Sequence, residues 1–208
     1  MNHAAAIAHL SAADRTLARL IKKVGACDLE PDPARSPFES LVSAVAHQQL
    51  NGKAAQTILG RVKALFPGRK FPTPEDLLGV PEESLRAAGL SRAKTAAVKD
   101  IAAKTVAGVV PTTRVITKLD DAEILERLTS IRGVGPWTVE MLLIFKLGRP
   151  DVLPATDYGV QQGFAFTYRR AALPKPKELL AHGERWRPFR SVAAWYLWRA
   201  VDLRDAGK

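Results

Sequence analysis

Ile131-Arg-Gly-Val-Gly-Pro-Trp137 is the stretch that decides the fold. Upstream of it, Leu119-Asp120-Asp121 opens a run with Ile124, Leu125, Leu128 and Ile131 at helical spacing. Downstream, Pro136 sits in the first turn of a second run through Val139, Leu142, Leu143 and Phe145 to Gly148. Two glycines one residue apart open backbone conformations closed to other residues. Successive N–H groups at the next helix's N-terminus can then converge on one phosphate oxygen. A tight helical hairpin with glycines placed for packing alone has the same local pattern, so the turn by itself leaves both readings open.

Outward from the hairpin the chain reads as short helices. Ser11 to Asp14 followed by Leu17, Leu20, Ile21 and Val24 predicts a capped amphipathic helix stopped by Gly25. Phe38, Leu41, Val42 and Val45 begin another helical period, broken at His47-Gln-Gln-Leu-Asn-Gly52 and resumed from Ala54 to Leu65. Thr73-Pro-Glu-Asp76 and Pro81-Glu-Glu-Ser84 are helix starts with acid in the first turn, and Ser91 caps a helix through Ile101 and Val106. Val106 to Ile116 is β-branched and split by Pro111. A helix from about Tyr158, a basic turn with Pro174 and Pro176, and a helix from Arg190 to Val201 complete the pattern. The expected fold class is all-α, with neither a repeat nor a long linker.

The chain has 208 residues, 31 Lys+Arg against 21 Asp+Glu, a net charge of +10 and 47% hydrophobic content. This is the balance of a folded domain with an acidic partner, nucleic acid first among the candidates. A single cysteine, Cys27, excludes an internal disulfide framework, a four-thiolate iron–sulfur cluster, and a zinc site built on four cysteines or on paired cysteines and histidines. His3, His9, His47 and His182 have no ligand spacing. The alanine-rich start lacks the basic region of a leader, and no apolar run reaches membrane-spanning length, so a cytoplasmic protein is expected.

Twenty residues after Trp137 stands Asp157, in Leu153-Pro-Ala-Thr-Asp-Tyr158, placed to cap the helix that follows. Capping also holds a carboxylate fixed and aimed. Hairpin plus downstream Pro…Asp loop resembles the helix-hairpin-helix (HhH-GPD) DNA glycosylases. Further stretches are similar to their alkylpurine branch: Pro37-Phe-Glu-Ser-Leu-Val42 with Gln48-Gln49-Leu50, Gly89-Leu-Ser-Arg-Ala-Lys94, Arg132 to Thr138, and Trp186-Arg-Pro-Phe-Arg-Ser191 with Trp195-Tyr-Leu-Trp198. The resemblance covers about residues 36–202.

The resemblance implies one helix-hairpin-helix glycosylase domain over 1–208, without the N-terminal β domain of the larger bacterial enzyme. It would have two helical lobes, about 52–148 with the hairpin and about 1–51 plus 149–208, and an active-site cleft between them. By position, Asp157 matches the catalytic aspartate, and Gly133, Val134, Gly135 and Thr138 match the phosphate-gripping hairpin. Main-chain carbonyls of Thr129, Ile131 and Val134 match the holders of a structural Na+ or K+; no other cofactor is implied. Gln48, Gln49 and Asn51 match the loop that enters the minor groove as a nucleotide is extruded. Trp137 and Trp198, with Phe38 and Tyr158, form the expected base pocket, Trp186 and Trp195 remain core residues, and Met141 replaces a pocket tyrosine. The implied partner is double-stranded DNA containing damaged bases, bound by a monomer with no role for a membrane.

Trp137 stands where strand-cleaving members place a nucleophilic lysine. An indole forms no Schiff base, so the reaction is expected to stop at an abasic site. One fixed carboxylate suffices if the leaving base is already cationic, as 3-methyladenine and 7-methylguanine are, because no second acid is then needed for the leaving group. Two alternatives stand beside this expectation: a non-catalytic helix-hairpin-helix DNA-binding module, which has no use for Asp157, and a glycosylase for other damaged bases.

Overall fold

The computed structural model describes residues 2–206 apart from Pro33, Gln49 and Asn51. Among these residues there is no strand, and the chain forms two compact units, residues 1–31 with 143–208 and residues 32–142. The division differs from the expected one near 52 and 148: the segment 32–51 belongs with the hairpin.

The unit of residues 32–142 contains α3 (Pro37–His47), α4 (Gly52–Ala64), α5 (Pro74–Gly79), α6 (Glu82–Ala87), α7 (Arg92–Val106), α8 (Thr113–Ile116), α9 (Asp121–Thr129) and most of α10 (Pro136–Phe145). Most starts are set by local chemistry. The Ser36, Ser91 and Asp120 side chains accept N–H bonds from Glu39, Lys94 and Glu123, and Thr73 with Asp76 forms a full capping box. Helix α7 is the hub, packing against α3, α5 and α6 and burying Val98 and Ile101 completely. Its contact with α3 is why residues 32–51 join this unit. The β-branched segment split by Pro111 holds only the single turn α8.

The other unit contains α1 (His3–Ala13), α2 (Arg15–Val24), α11 (Tyr158–Thr167), α12 (Pro176–Gly183), a 3-10 turn at Glu184–Trp186 and α13 (Arg190–Ala206). Gly25 ends α2 at φ +91°, as expected. The structure adds α1 and α12. The first is alanine-rich with no apolar stripe, and the second starts at Pro176, where the sequence suggests a turn. The tightest packing joins α11 to α13: a Cβ on Gly163 would lie 1.9 Å from the Leu197 carbonyl oxygen.

Asp14 caps α2 through the N–H groups of Thr16 and Leu17, while its Oδ2 accepts from Tyr168 Oη at 2.6 Å and Trp186 Nε1 at 3.2 Å and lies 3.1 Å from His182 Nε2. Phe164, Tyr168, His182 and Trp186 pack ring against ring around it. Burial pushes the Asp14 carboxyl upward. The bonds from His182, Tyr168, Leu17 and Trp186 outweigh burial and hold it well below the usual carboxylate range. A depressed folded-state pKa contributes stability above the unfolded pKa and loses it only as pH falls toward the folded value. Asp14→Ala is therefore expected to cost about 2 kcal/mol, because it strands buried donors. The melting-temperature gap to the parent should stay constant from about pH 7 to about pH 5 and narrow progressively as pH falls from there toward the folded value.

Candidate active site

In the unit of residues 32–142, the turn between α9 and α10 is held from behind by α7. Gly133 has φ +75°, and a Cβ there would come within 2.6 Å of the Ala97 Cβ, so both conformation and space require glycine. Gly135 differs: its φ lies outside the left-handed region and a Cβ would meet nothing within 4 Å. Its lack of a side chain keeps the outer face of the turn clear. The Arg132 N–H donates to Asp100 Oδ2 at 2.7 Å, and the Val134 N–H donates to the Ile131 carbonyl at 3.1 Å. The turn leads into the N-terminus of α10, where Pro136 has no N–H and the Thr138 and Val139 N–H groups donate to the Gly135 carbonyl at 3.0 and 3.2 Å, so that the positive end of the helix dipole faces the turn. Thr138 is buried in that first turn, and Trp137 is half-buried.

Gln48 caps α3 and does not extend freely. Its Nε2 donates to the Gly133 carbonyl and to Thr138 Oγ1, both at 3.0 Å. Lys94 Nζ donates to the carbonyls of Ala46 at 3.0 Å and Gln48 at 2.6 Å, and burial pushes its ammonium pKa down. Gln49 and Asn51 lie outside the described residues. Leu50 is 40% exposed, an apolar side chain of the kind that wedges between base steps, although polar neighbours drew the sequence reading. Phe38 is only 7% exposed, its ring edge-on to Phe71 at 6.1 Å, and so offers no open face for a base. Its expected pocket role gives way to core packing because α3 turns it inward.

In the other unit, Asp157 caps α11. Its Oδ1 accepts the Val160 N–H at 2.7 Å and the Trp198 Nε1–H at 2.8 Å. The loop that delivers it is tied to the start of α13. Asp151 pairs with Arg187 at 2.6 Å and Arg190 at 2.7 Å, and buried Ser191 accepts the Val152 N–H at 3.0 Å. The Gln161 side chain closes the loop by donating to the Ala155 carbonyl at 2.8 Å. One end of the resembling stretch Trp186 to Ser191 therefore positions the carboxylate.

Trp198, expected as a base-pocket ring, lies against Asp157 and is engaged on two sides. Phe145 stacks on it with ring centres 5.5 Å apart, and its Nε1–H is committed to the carboxylate. A Cβ on Gly159 would come within 2.9 Å of Trp198 Cδ1, so the small residue admits the indole. Phe145, 41% exposed, escaped the sequence reading because it ends an apolar helical run and so looked like core. Tyr158, next to Asp157, is 63% exposed, Met141 is half-buried, and Trp186 and Trp195 are buried as expected. Trp198→Phe would keep a ring on Phe145 and lose the N–H. For the glycosylase activity that the sequence resemblance implies, losing a hydrogen bond to a charged group should slow base release roughly 10-fold. The loss should be equal for fast and slow substrates in single-turnover assays, whereas a loss graded by substrate would mark stacking instead.

A family model described as HhH-GPD superfamily base excision DNA repair protein matches residues 42–188. The chain is 42% identical over 203 residues to DNA-3-methyladenine glycosylase 1 of Schizosaccharomyces pombe, spanning 96% of this chain and 88% of that protein. Its fold superposes on a structure of Schizosaccharomyces pombe 3-methyladenine DNA glycosylase in complex with abasic DNA with a TM-score of 0.89, at 42% identity, covering 96% of this chain and 98% of that one. A DNA-3-methyladenine glycosidase structure from Bacillus halodurans gives a TM-score of 0.83 at 35% identity, covering 97% and 91%.

Proposed function

The chain belongs to the HhH-GPD superfamily of base excision DNA repair proteins, and we propose that it is a monofunctional DNA glycosylase. On this reading it hydrolyses the N-glycosidic bond of alkylated purines in double-stranded DNA and leaves an abasic site. The single observation that carries the reading is Asp157, a carboxylate fixed by two N–H donors on one oxygen beside the Phe145–Trp198 ring pair. Bond cleavage gives the sugar oxocarbenium character, which a preorganised carboxylate stabilises while water is directed to C1′. The bonding electron pair leaves with the base and neutralises its ring cation. The attacking water's proton passes to the carboxylate or to solvent. Electron-rich rings attract the same cationic base.

The relatives named above for 3-methyladenine support that substrate class here, and the hairpin turn supports a phosphate grip that carries no base information. Trp137 supports hydrolysis without strand cleavage, since it offers no amine for a Schiff base. The neutral carbonyl oxygens of Thr129, Ile131 and Val134 suit a hard monovalent cation, and the Ile131 oxygen keeps a second lone pair beyond the Val134 N–H. Such an ion would add positive charge beside the bound phosphate. No helix among the described residues is long and apolar enough to cross a membrane. We place the protein's action in the cytoplasm, with the DNA.

Incubation with dimethyl-sulfate-treated duplex DNA, followed by chromatography of released bases, tests the reading. The expected result is free 3-methyladenine and 7-methylguanine with strands that break only on later alkali treatment. DNA binding without base release would establish the non-catalytic module instead.

A further inference from the structure

We propose that Lys94 and Gln48 are positioning residues that couple the phosphate-gripping turn to the segment entering the DNA, with α7 as the rail joining them. The inference rests on the glycosylase reading and names residues that act through others. Lys94, Ala97 and Asp100 succeed one another at three-residue spacing on one side of α7. Lys94 holds the carbonyls of Ala46 and Gln48 at the end of α3, Ala97 lies under Gly133, and Asp100 takes the Arg132 N–H. Gln48 closes the circuit, since its amide spans the turn carbonyl of Gly133 and the hydroxyl of Thr138 on α10. Three segments distant in sequence are thereby set at one spacing.

Helix capping alone does not require this arrangement. The last carbonyls of α3 could be hydrated or met by a solvated lysine, yet Lys94 is partly desolvated, which lowers its pKa. The amide of Gln48 has its donors occupied inside the protein, so the tip of this segment presents Leu50 outward. Extruding a nucleotide means pushing against base stacking, and the push has to be reacted against a strand held fixed. The hairpin supplies the hold, the segment after α3 supplies the push, and the Lys94–Gln48 brace transmits force between them. Without the brace the strand would still be gripped but the base would return to the stack.

The test uses the full chain with Lys94→Met, Lys94→Arg and Gln48→Glu. Three quantities are measured: affinity for an undamaged duplex, fluorescence of a 2-aminopurine beside the lesion, and single-turnover excision of 7-methylguanine. Lys94→Met and Gln48→Glu are expected to lower both the flipping signal and excision about 10-fold or more, while affinity for the undamaged duplex falls by a clearly smaller factor, set by the one unit of positive charge that each variant costs near the phosphate turn. Lys94→Arg, which can still donate to two carbonyls, should recover most of the loss. Parental flipping in folded Lys94→Met or Gln48→Glu overturns the proposal, and so does affinity that falls in step with excision. Gln48→Glu, an isostere, carries the test alone if Lys94→Met does not fold. The fluorescence needs no bond cleavage: a parent that flips but releases no base would refute the glycosylase reading and leave the coupling measurable.

Discussion

Asp157→Asn is expected to reduce single-turnover excision of alkylated purines by about 10²-fold or more, the usual consequence of deleting one preorganised electrostatic group. The amide is isosteric, and its oxygen can still accept the Val160 and Trp198 N–H bonds made by Oδ1. Helix capping, fold and ring stack should therefore survive. Binding to abasic-site duplex should be unchanged or tighter, since the phosphate grip lies in a different part of the chain. An active Asp157→Asn would move the catalytic role elsewhere. Asp151, the nearest acidic residue in sequence, is a poor substitute because Arg187 and Arg190 already occupy it.

Gly163→Ala should be the most destabilising glycine-to-alanine change among the described residues. The new carbon would need to sit where the Leu197 carbonyl is, at 1.9 Å, and a backbone neighbour cannot rotate away as a side chain can. Separating α11 from α13 should cost roughly 3 kcal/mol or more, which lowers the melting temperature by about 6–12 °C in a chain of this length. Gly159→Ala provides the contrast. Its methyl would press on Trp198 Cδ1 at 2.9 Å and on Asp157 Oδ1 at 3.2 Å, both movable side-chain atoms. Activity should fall with a smaller loss of stability. Thermal melts read beside excision rates check both, and equal melting temperatures for Gly163→Ala and the parent would contradict the close approach.

Helix starts were legible in the sequence because an N-cap is a contract among four adjacent residues. Asp14, Ser91, Asp120 and Asp157 all cap as their neighbours suggest, whereas the Ser36 cap came only with the structure. Gly133 was legible for the same local reason. Helix α1 was not, since Ala4, Ala5 and Ala6 give no apolar stripe and only packing selects Ala6 and Leu10 for burial. Interactions across long stretches were also hidden. Asp14 meets Trp186 across 172 residues, and Gln48 meets Thr138 across 90. Nothing near Gln48 distinguishes a side chain aimed at DNA from one tied to a turn. Asp157 was found by resemblance, while its bond to Trp198 required the approach of α11 and α13.

The glycines that bring α11 close to α13 have a consequence for how this molecule opens. Each weakens an isolated helix by about 1 kcal/mol relative to alanine, so a ten-residue α11 with Gly159 and Gly163 cannot persist alone. Its amide protons should exchange with deuterium together with those of the facing part of α13, as one cooperative unit. Any fluctuation that peels α13 away also dissolves the helix that Asp157 caps. The unpeeled molecule carries a fully built carboxylate site and the peeled one carries none, so partial opening yields silent enzyme and never a loosely formed, less selective one.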